Sequence, residues 1–397
     1  MAEPGSSMEG PALERVQARV NLAAIERNCG RLRSGLRAGA RLCAVVKADG
    51  YGHGAVPTAR AALAGGAEWL AVVAAAELRE LRAAGIEAPV LVMGALTPSE
   101  LTESLAAGGD VVVWDERDLA AVAAAGGGRV HVKLDSGMGR LGTRDPDRAT
   151  AVAEAAERAE GVTLAGVMTH FATADELRDG GYFAKQLQTF ERWAGALKAS
   201  RPELLVHAAN SAAMLRDEGA QFDMARAGIA IYGMDPFGED PALRGLEPAL
   251  ELCSYVAEVK ECRAGESAGY GRRFVAASDT FIAVIPVGYG DGWRRGLTNN
   301  CEVLIGGARH PLVGTISMDS VTVDVGPDAN ELRGAPAVLI GLQGSERITA
   351  EEVARRLGTI NYEITCGLTP RVRRVYHRDG ALANVDAAAT AAWSGAA

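Results

Sequence analysis

Between about residues 41 and 235, short apolar, β-branched runs alternate with Ala-, Leu- and Arg-rich stretches. The runs are Cys43–Lys47, Trp69–Val73, Val90–Met93, Val111–Trp114, Val130–Leu134, Leu164–Met168, Leu204–His207 and Phe222–Ala225. Between them, Ala76–Ala84, Asp118–Ala125, Ala149–Ala159 and Phe183–Ser200 read as helices. Runs that are almost continuously apolar predict strands buried on both faces, hence a parallel sheet covered by helices. Eight such units predict an α/β fold with a (β/α)8 TIM-type barrel. A doubly wound open sheet is the competing arrangement. After Leu246-Glu247-Pro248 the texture changes. Cys253–Val259, Phe281–Val287, Glu302–Ile305, Val321–Val325 and Ala337–Ile340 crowd together between Gly-containing turns, and one clear helix, Glu351–Leu357, follows. Thr349 with Glu352 three residues on has capping-box spacing for that helix.

The pattern predicts four segments. Residues 1–12 and 386–397 are low in complexity and expected to be flexible. Residues 13–247 form the barrel domain, whose first residues could pack on the next domain. Residues 248–385 form a β-rich C-terminal domain.

Composition narrows the function classes. With 48% hydrophobic and 23% charged residues, the 397-residue chain is not disordered throughout. A net charge of −9 argues against nucleic acid as a partner. The six cysteines form no C-x-x-C pair, so neither a zinc site nor a disulfide framework is expected. No signal peptide and no apolar stretch of ~18 residues is visible, so a cytoplasmic chain with no membrane partner is expected. Aromatic residues are only 5%, with eight tyrosines, so the core must be aliphatic.

Polar residues follow the ends of several predicted barrel strands. Lys47 ends the first, Arg140 follows the fifth, His170 the sixth, Asn210 and Ser211 the seventh, and Arg226 the eighth. In a barrel these ends meet on one face, where active sites lie. A Lys at such an end is partly desolvated, which favours the free amine, a nucleophile for aldehydes. It stands in CAVVKADGYGHG (43–54), where Tyr51 offers a phenol and the glycines permit close backbone approach. Each residue alone has an ordinary structural explanation; the joint pattern carries the weight. Gly126–Gly128 lacks the Lys-Ser/Thr of a phosphate loop, and Arg371–Arg374 reads as a solvated or dimer-edge patch.

Residues 43–54 closely resemble the cofactor-lysine motif of alanine racemases, fold-type III pyridoxal 5'-phosphate (PLP) enzymes built from a barrel and a β-rich C-terminal domain. The resemblance runs from about residue 14 to 380. It includes KLDSGMGRLG (133–142), THFATAD (169–175), Asn210-Ser211, RAGIAIYG (226–233), GYGR (269–272), IPVGYGDGW (285–293), Ser317-Met318-Asp319 and INYE (360–363). The resemblance implies roles residue by residue. Lys47 would bind the PLP aldehyde and act as one acid–base group, with Tyr270 as the other on the opposite face. Arg226 would donate to the pyridine nitrogen, with His170 nearby. Tyr51, Asn210, Ser211, Tyr362 and the backbone at Gly228 and Ile229 would serve the cofactor and its phosphate. Arg140 would orient cofactor and substrate carboxylate, and Lys133, carbamylated in many relatives, would position Arg140. Met318 and Asp319 would reach the substrate from a second subunit, and Tyr289 would line the access channel. No metal is implied. The implied protein is a homodimer that interconverts L- and D-alanine for peptidoglycan. A broader racemase acting on serine is the nearest alternative. A PLP-binding homeostasis protein, which would resemble only the barrel half, and a fold-type III decarboxylase are further ones.

Overall fold

The computed structural model describes residues 14–329 and 331–383; the expected flexible ends, 1–12 and 386–397, lie outside them. The described residues divide into two compact units, one of Asn21–Ala249 with residues 376–383, the other of residues 14–20 with Leu250–Val375.

The first unit is a closed barrel of eight parallel strands, which excludes the open sheet. A preceding strand, β1 (Val16–Asn21), belongs almost wholly to the other unit. The barrel strands are β2 (Arg41–Val45), β3 (Trp69–Val72), β4 (Val90–Val92), β5 (Asp110–Val113), β6 (Gly128–Lys133), β7 (Val162–Met168), β8 (Leu205–His207) and β9 (Met224–Ala227). Each apolar run is buried on both faces, as a sheet wrapped by helices requires. The helices start where the sequence offers caps: Thr97 with Glu100 before Pro98–Ala106, Asp115 before Glu116–Ala124, and Asp145 before Pro146–Arg158.

All eight strands lie on the predicted runs with boundaries shifted by at most two residues, and two of the shifts have a conformational cause. The first strand stops at Val45, and Lys47 opens a left-handed turn instead of ending the strand. The eighth starts at Met224, because Phe222 sits at φ 47°, outside strand geometry.

The second unit is an antiparallel sheet. In it β1 pairs with Leu250–Tyr255, which pairs with Pro336–Gln343. The ladder continues through Glu302–Ile305, Ala308–Val313, Val321–Gly326, Thr280–Ile285 and Glu258–Cys262. The run expected as one strand over 253–259 is two, Leu250–Tyr255 and Glu258–Cys262, with the chain turning at Val256-Ala257 to pair with different neighbours. Thr349 Oγ1 caps the helix Ala350–Leu357 by accepting the Glu352 N–H at 3.1 Å.

Candidate active site

At the C-terminal mouth of the barrel, the segment after β2 is conformationally costly. Ala48, Asp49, Gly50 and Tyr51 all lie at φ between 52° and 58°. The left-handed region costs a non-glycine residue roughly 1–2 kcal/mol. Local hydrogen bonds hold it. Gly50 N–H donates to Val46 O at 3.0 Å, Gly54 N–H to Asp49 O at 2.8 Å, and Ala55 N–H to Asp49 Oδ1 at 3.0 Å. Glu77 ties the turn to the end of β3, accepting Ala48 N–H at 2.7 Å and Val73 N–H at 2.8 Å. Strain secured in this way is a mark of functional sites. Here it sets the start of the Lys47 side chain at the barrel mouth.

Tyr51 is buried and stacks on Tyr232, ring centroids 4.9 Å apart. The Tyr232 hydroxyl donates to Val45 O at 2.9 Å, which fixes the pair. A Cβ on Gly228 would lie 2.4 Å from the Tyr51 hydroxyl, so only glycine lets phenol and backbone meet. Ser211, after β8, accepts the N–H groups of Gly228 and Ala230 at 2.9 and 3.3 Å. With both donors arriving at Oγ, its own proton is left to donate outward. Asn210 caps the short helix Ser211–Arg216 through Ala213 N–H, and Ile229 is buried at the start of the next turn. The Gly228 N–H is thus taken up in orienting Ser211, and the Tyr51 and Ser211 hydroxyls meet beside the Gly228–Ile229 backbone, a set suited to an oxyanion such as a phosphate.

Beside it stands a cluster of cations. Arg226 is buried; Nη2 donates to Thr169 O at 2.8 Å and to Ala208 O at 2.9 Å, and Nη1 to His207 Nδ1 at 2.8 Å. His170 Nδ1 lies 3.5 Å from Nη2. Burial lowers the guanidinium to about 10, so it stays charged at neutral pH. Burial, then Arg226 and Arg140, push His170 well below the usual histidine range, so it is neutral there. Lys133, 4% exposed at the end of β6, is lowered to about 8 by burial, then by Arg226 and Arg140. Arg140 is exposed on the loop after β6. Asp135 shapes that loop by accepting the N–H groups of Gly137 and Gly139 at 3.1 and 3.0 Å. The barrel mouth therefore gathers Lys47, Tyr51, Lys133, Arg140, His170, Asn210, Ser211, Arg226, Gly228 and Ile229. Buried cations beside an oxyanion cradle call for an anionic ligand.

The β-rich unit carries the other predicted residues. Tyr270 is 72% exposed and follows Gly269 at φ 75°, whose absent Cβ clears Thr315 N. Thr315 Oγ1 donates to the Tyr270 carbonyl at 2.7 Å, holding the turn while the phenol projects outward. Tyr289, Met318 and Asp319 share one surface: Tyr289 N–H donates to Ser317 O at 3.1 Å and Gly290 N–H to Met318 O at 2.9 Å. Asp319 accepts from Arg371 at 2.6 Å, which also pairs with buried Asp291. Arg371 thus has a defined partner within this loop cluster. Tyr362 is half-buried on the helix Asn361–Cys366.

Family models for the alanine racemase N-terminal and C-terminal domains match residues 20–236 and 249–376. The chain belongs to the alanine racemase family. The alanine racemase of Cutibacterium acnes is 41% identical, the match covering 90% of this chain and 96% of that protein. Alanine racemase 1 of Bacillus subtilis is 39% identical, covering 93% and 94%. Among solved structures, the alanine racemase of Streptomyces lavendulae has a TM-score of 0.87 at 37% identity, covering 96% and 100%. That of Bacillus anthracis with bound L-Ala-P has a TM-score of 0.86 at 37% identity, covering 94% and 98%. Among the described residues, no helix is long and apolar enough to cross a membrane, and no group of His, Cys, Asp and Glu could hold a metal.

Sequence reasoning missed Glu77, Asp135, Tyr232 and His207. Asp135 stands inside the KLDSGMGRLG motif and was legible as a loop organiser. Glu77, Tyr232 and His207 come from distant segments, and nothing local marks their partners.

Proposed function

We propose that the chain is a PLP-dependent alanine racemase that interconverts L- and D-alanine by two-base proton transfer. The observation that carries this reading is the meeting, at one barrel mouth, of Lys47 on a strained turn, the Tyr51–Ser211–Gly228 cradle and buried Arg226. The fit to PLP is chemical: the hydroxyl and backbone groups suit its phosphate, Lys47 its aldehyde, and a charged guanidinium its ring nitrogen. When bound, PLP supplies an aldehyde for the substrate amine and a conjugated ring that delocalises the charge left at Cα.

The residues divide the remaining work. Lys47, as a free amine, would exchange the Cα proton on one face. Tyr270 of a second copy exchanges it on the other, so loss on one side and gain on the opposite side invert the centre. A guanidinium at Arg226 stays protonated and donates, so it leaves the ring nitrogen without a proton of its own. Arg140 and the Met318–Asp319 backbone orient the substrate carboxylate. Lys133, partly neutral near pH 8, is suited to take up carbon dioxide as a carbamate with loss of a proton, giving Arg140 an anionic neighbour. The assembly would be a cytoplasmic homodimer serving peptidoglycan synthesis, with Tyr289 lining the approach. Serine as the main substrate is not favoured, the related proteins being alanine racemases. The match to the C-terminal family domain disfavours a barrel-only homeostasis protein.

The test is to load the protein with PLP and follow L-alanine in deuterated water. Visible absorbance of a lysine-bound cofactor and deuterium at Cα in both enantiomers are expected. No such absorbance, or no exchange, refutes the reading. Tyr270→Phe should lower racemisation by about 10²–10⁴-fold while PLP stays bound.

A further inference from the structure

The barrel interior holds a polar line where aliphatic layers are the rule. Asp110 opens β5 at the end of the barrel opposite the site and is 4% exposed. His131 of β6 and His207 of β8 are fully buried. His131 Nε2 is 3.1 Å from Asp110 Oδ2, His131 Nδ1 is 2.8 Å from His207 Nε2, and His207 Nδ1 is 2.8 Å from Arg226 Nη1. Arg129 Nε donates to both Asp110 oxygens at 3.1 Å. β7, which lies between β6 and β8, makes room with Gly166: a Cβ there would stand 2.5 Å from His131 Nδ1 and 2.6 Å from Leu205 O.

Only one arrangement of protons satisfies this line. Arginine can only donate, so His207 Nδ1 must accept and the His207 proton sits on Nε2. That proton needs an acceptor, which makes His131 Nδ1 unprotonated and puts the His131 proton on Nε2, facing the Asp110 carboxylate. A second proton on His131 would set two N–H groups head to head. Every bond therefore points from Arg226 toward Asp110, and the neutral state of His207 agrees with its burial beside Arg226. These contacts engage both Nη2 hydrogens and one Nη1 hydrogen of Arg226, leaving the other Nη1 hydrogen and Nε–H for a ligand.

We propose that Asp110 and His131 are positioning residues for Arg226, a one-directional hydrogen-bond line through the barrel core that fixes which guanidinium hydrogens face the cofactor. The proposal rests on the PLP reading above, and its test separates the two. Nitrogen-15 NMR of the histidine side chains in the PLP-free protein should show His131 and His207 neutral at pH 7, each with its proton on Nε2. A proton on Nδ1 of either ring, or on both nitrogens, overturns the proposal even if PLP binds normally, and needs no variant to fold. PLP affinity is then measured by titration for two variants. His131→Leu should bind PLP about tenfold more weakly, equivalent to ~1.4 kcal/mol. His131→Asn, whose amide oxygen can occupy the Nδ1 position, should return to within about threefold of the parent. Equal affinity of His131→Leu and parent, or no rescue by Asn, overturns it. Absence of PLP binding by the parent protein overturns the PLP reading instead.

Discussion

Lys133 offers a quantitative check on the electrostatics of the barrel mouth. Replacing it with methionine keeps the stem and removes the buried ammonium. Burial and the neighbouring Arg226 and Arg140 lower its pKa from 10.5 to about 8. The folded protein therefore releases this proton near pH 8, while the unfolded chain keeps it to about 10.5. Between those values the unfolded state binds more protons, so the parent's stability rises with pH across the window. Below pH 8 the full penalty is present, roughly 3 kcal/mol at 1.36 kcal/mol per pKa unit. Lys133→Met should thus melt several degrees higher than the parent at pH 7. The advantage should shrink as pH rises from 8 toward 10. The difference between the two proteins is what is read, because other lysines, tyrosines and buried thiols titrate alike in both. Bicarbonate-free buffer keeps the lysine unmodified; adding bicarbonate should raise the parent's melting point and increase its mass by one carbon dioxide, with no change in Lys133→Met. A variant less stable than the parent at pH 7, or a difference that does not vary with pH, would refute the reasoning.

Other outcomes follow from single contacts. Gly228→Ala drives a methyl to within 2.4 Å of the Tyr51 hydroxyl, held by its stack on Tyr232; overpacking of roughly 1–3 kcal/mol should weaken PLP binding by about 5- to 150-fold, read by cofactor titration. Glu77→Gln loses one of the two acceptors that serve Ala48 and Val73, so PLP capture by Lys47 should slow, measured as the rate of cofactor absorbance gain. Burial, with Asp49 and Glu77 nearby, raises Glu80 to about 7 from 4.5. The folded state holds that proton across the interval, so the parent should lose stability relative to Glu80→Gln as pH rises from 4.5 to 7, visible in melting curves.

The conformation at Lys47 shows why strand boundaries read from sequence slip at a site. CAVVK looks like a strand to its last residue, because apolar patterning registers burial and is blind to φ. Only the closed barrel reveals that the chain leaves the strand after Val45 and turns left-handed, with Glu77 from another segment stabilising it. Phe222 misleads in the same way: a large apolar residue suggests a strand, yet its φ of 47° makes it a corner.

By itself the sequence determined the alternation that builds a parallel barrel, the change of texture at Pro248, and most of the residues gathered at the mouth, since strand ends must share a pole once the sheet closes. It also concentrated phenols in motifs: Tyr51, Tyr270, Tyr289 and Tyr362 are half of the eight tyrosines. Tertiary structure alone decided which hydrogens those groups have left to offer. That Ser211 accepts two backbone N–H groups, that Gly228 admits a phenol, and that Gly166 clears space for His131 depend on segments distant in the chain. Periodicity records which residues leave water, whereas hydrogen-bond direction is set by what each buried group meets.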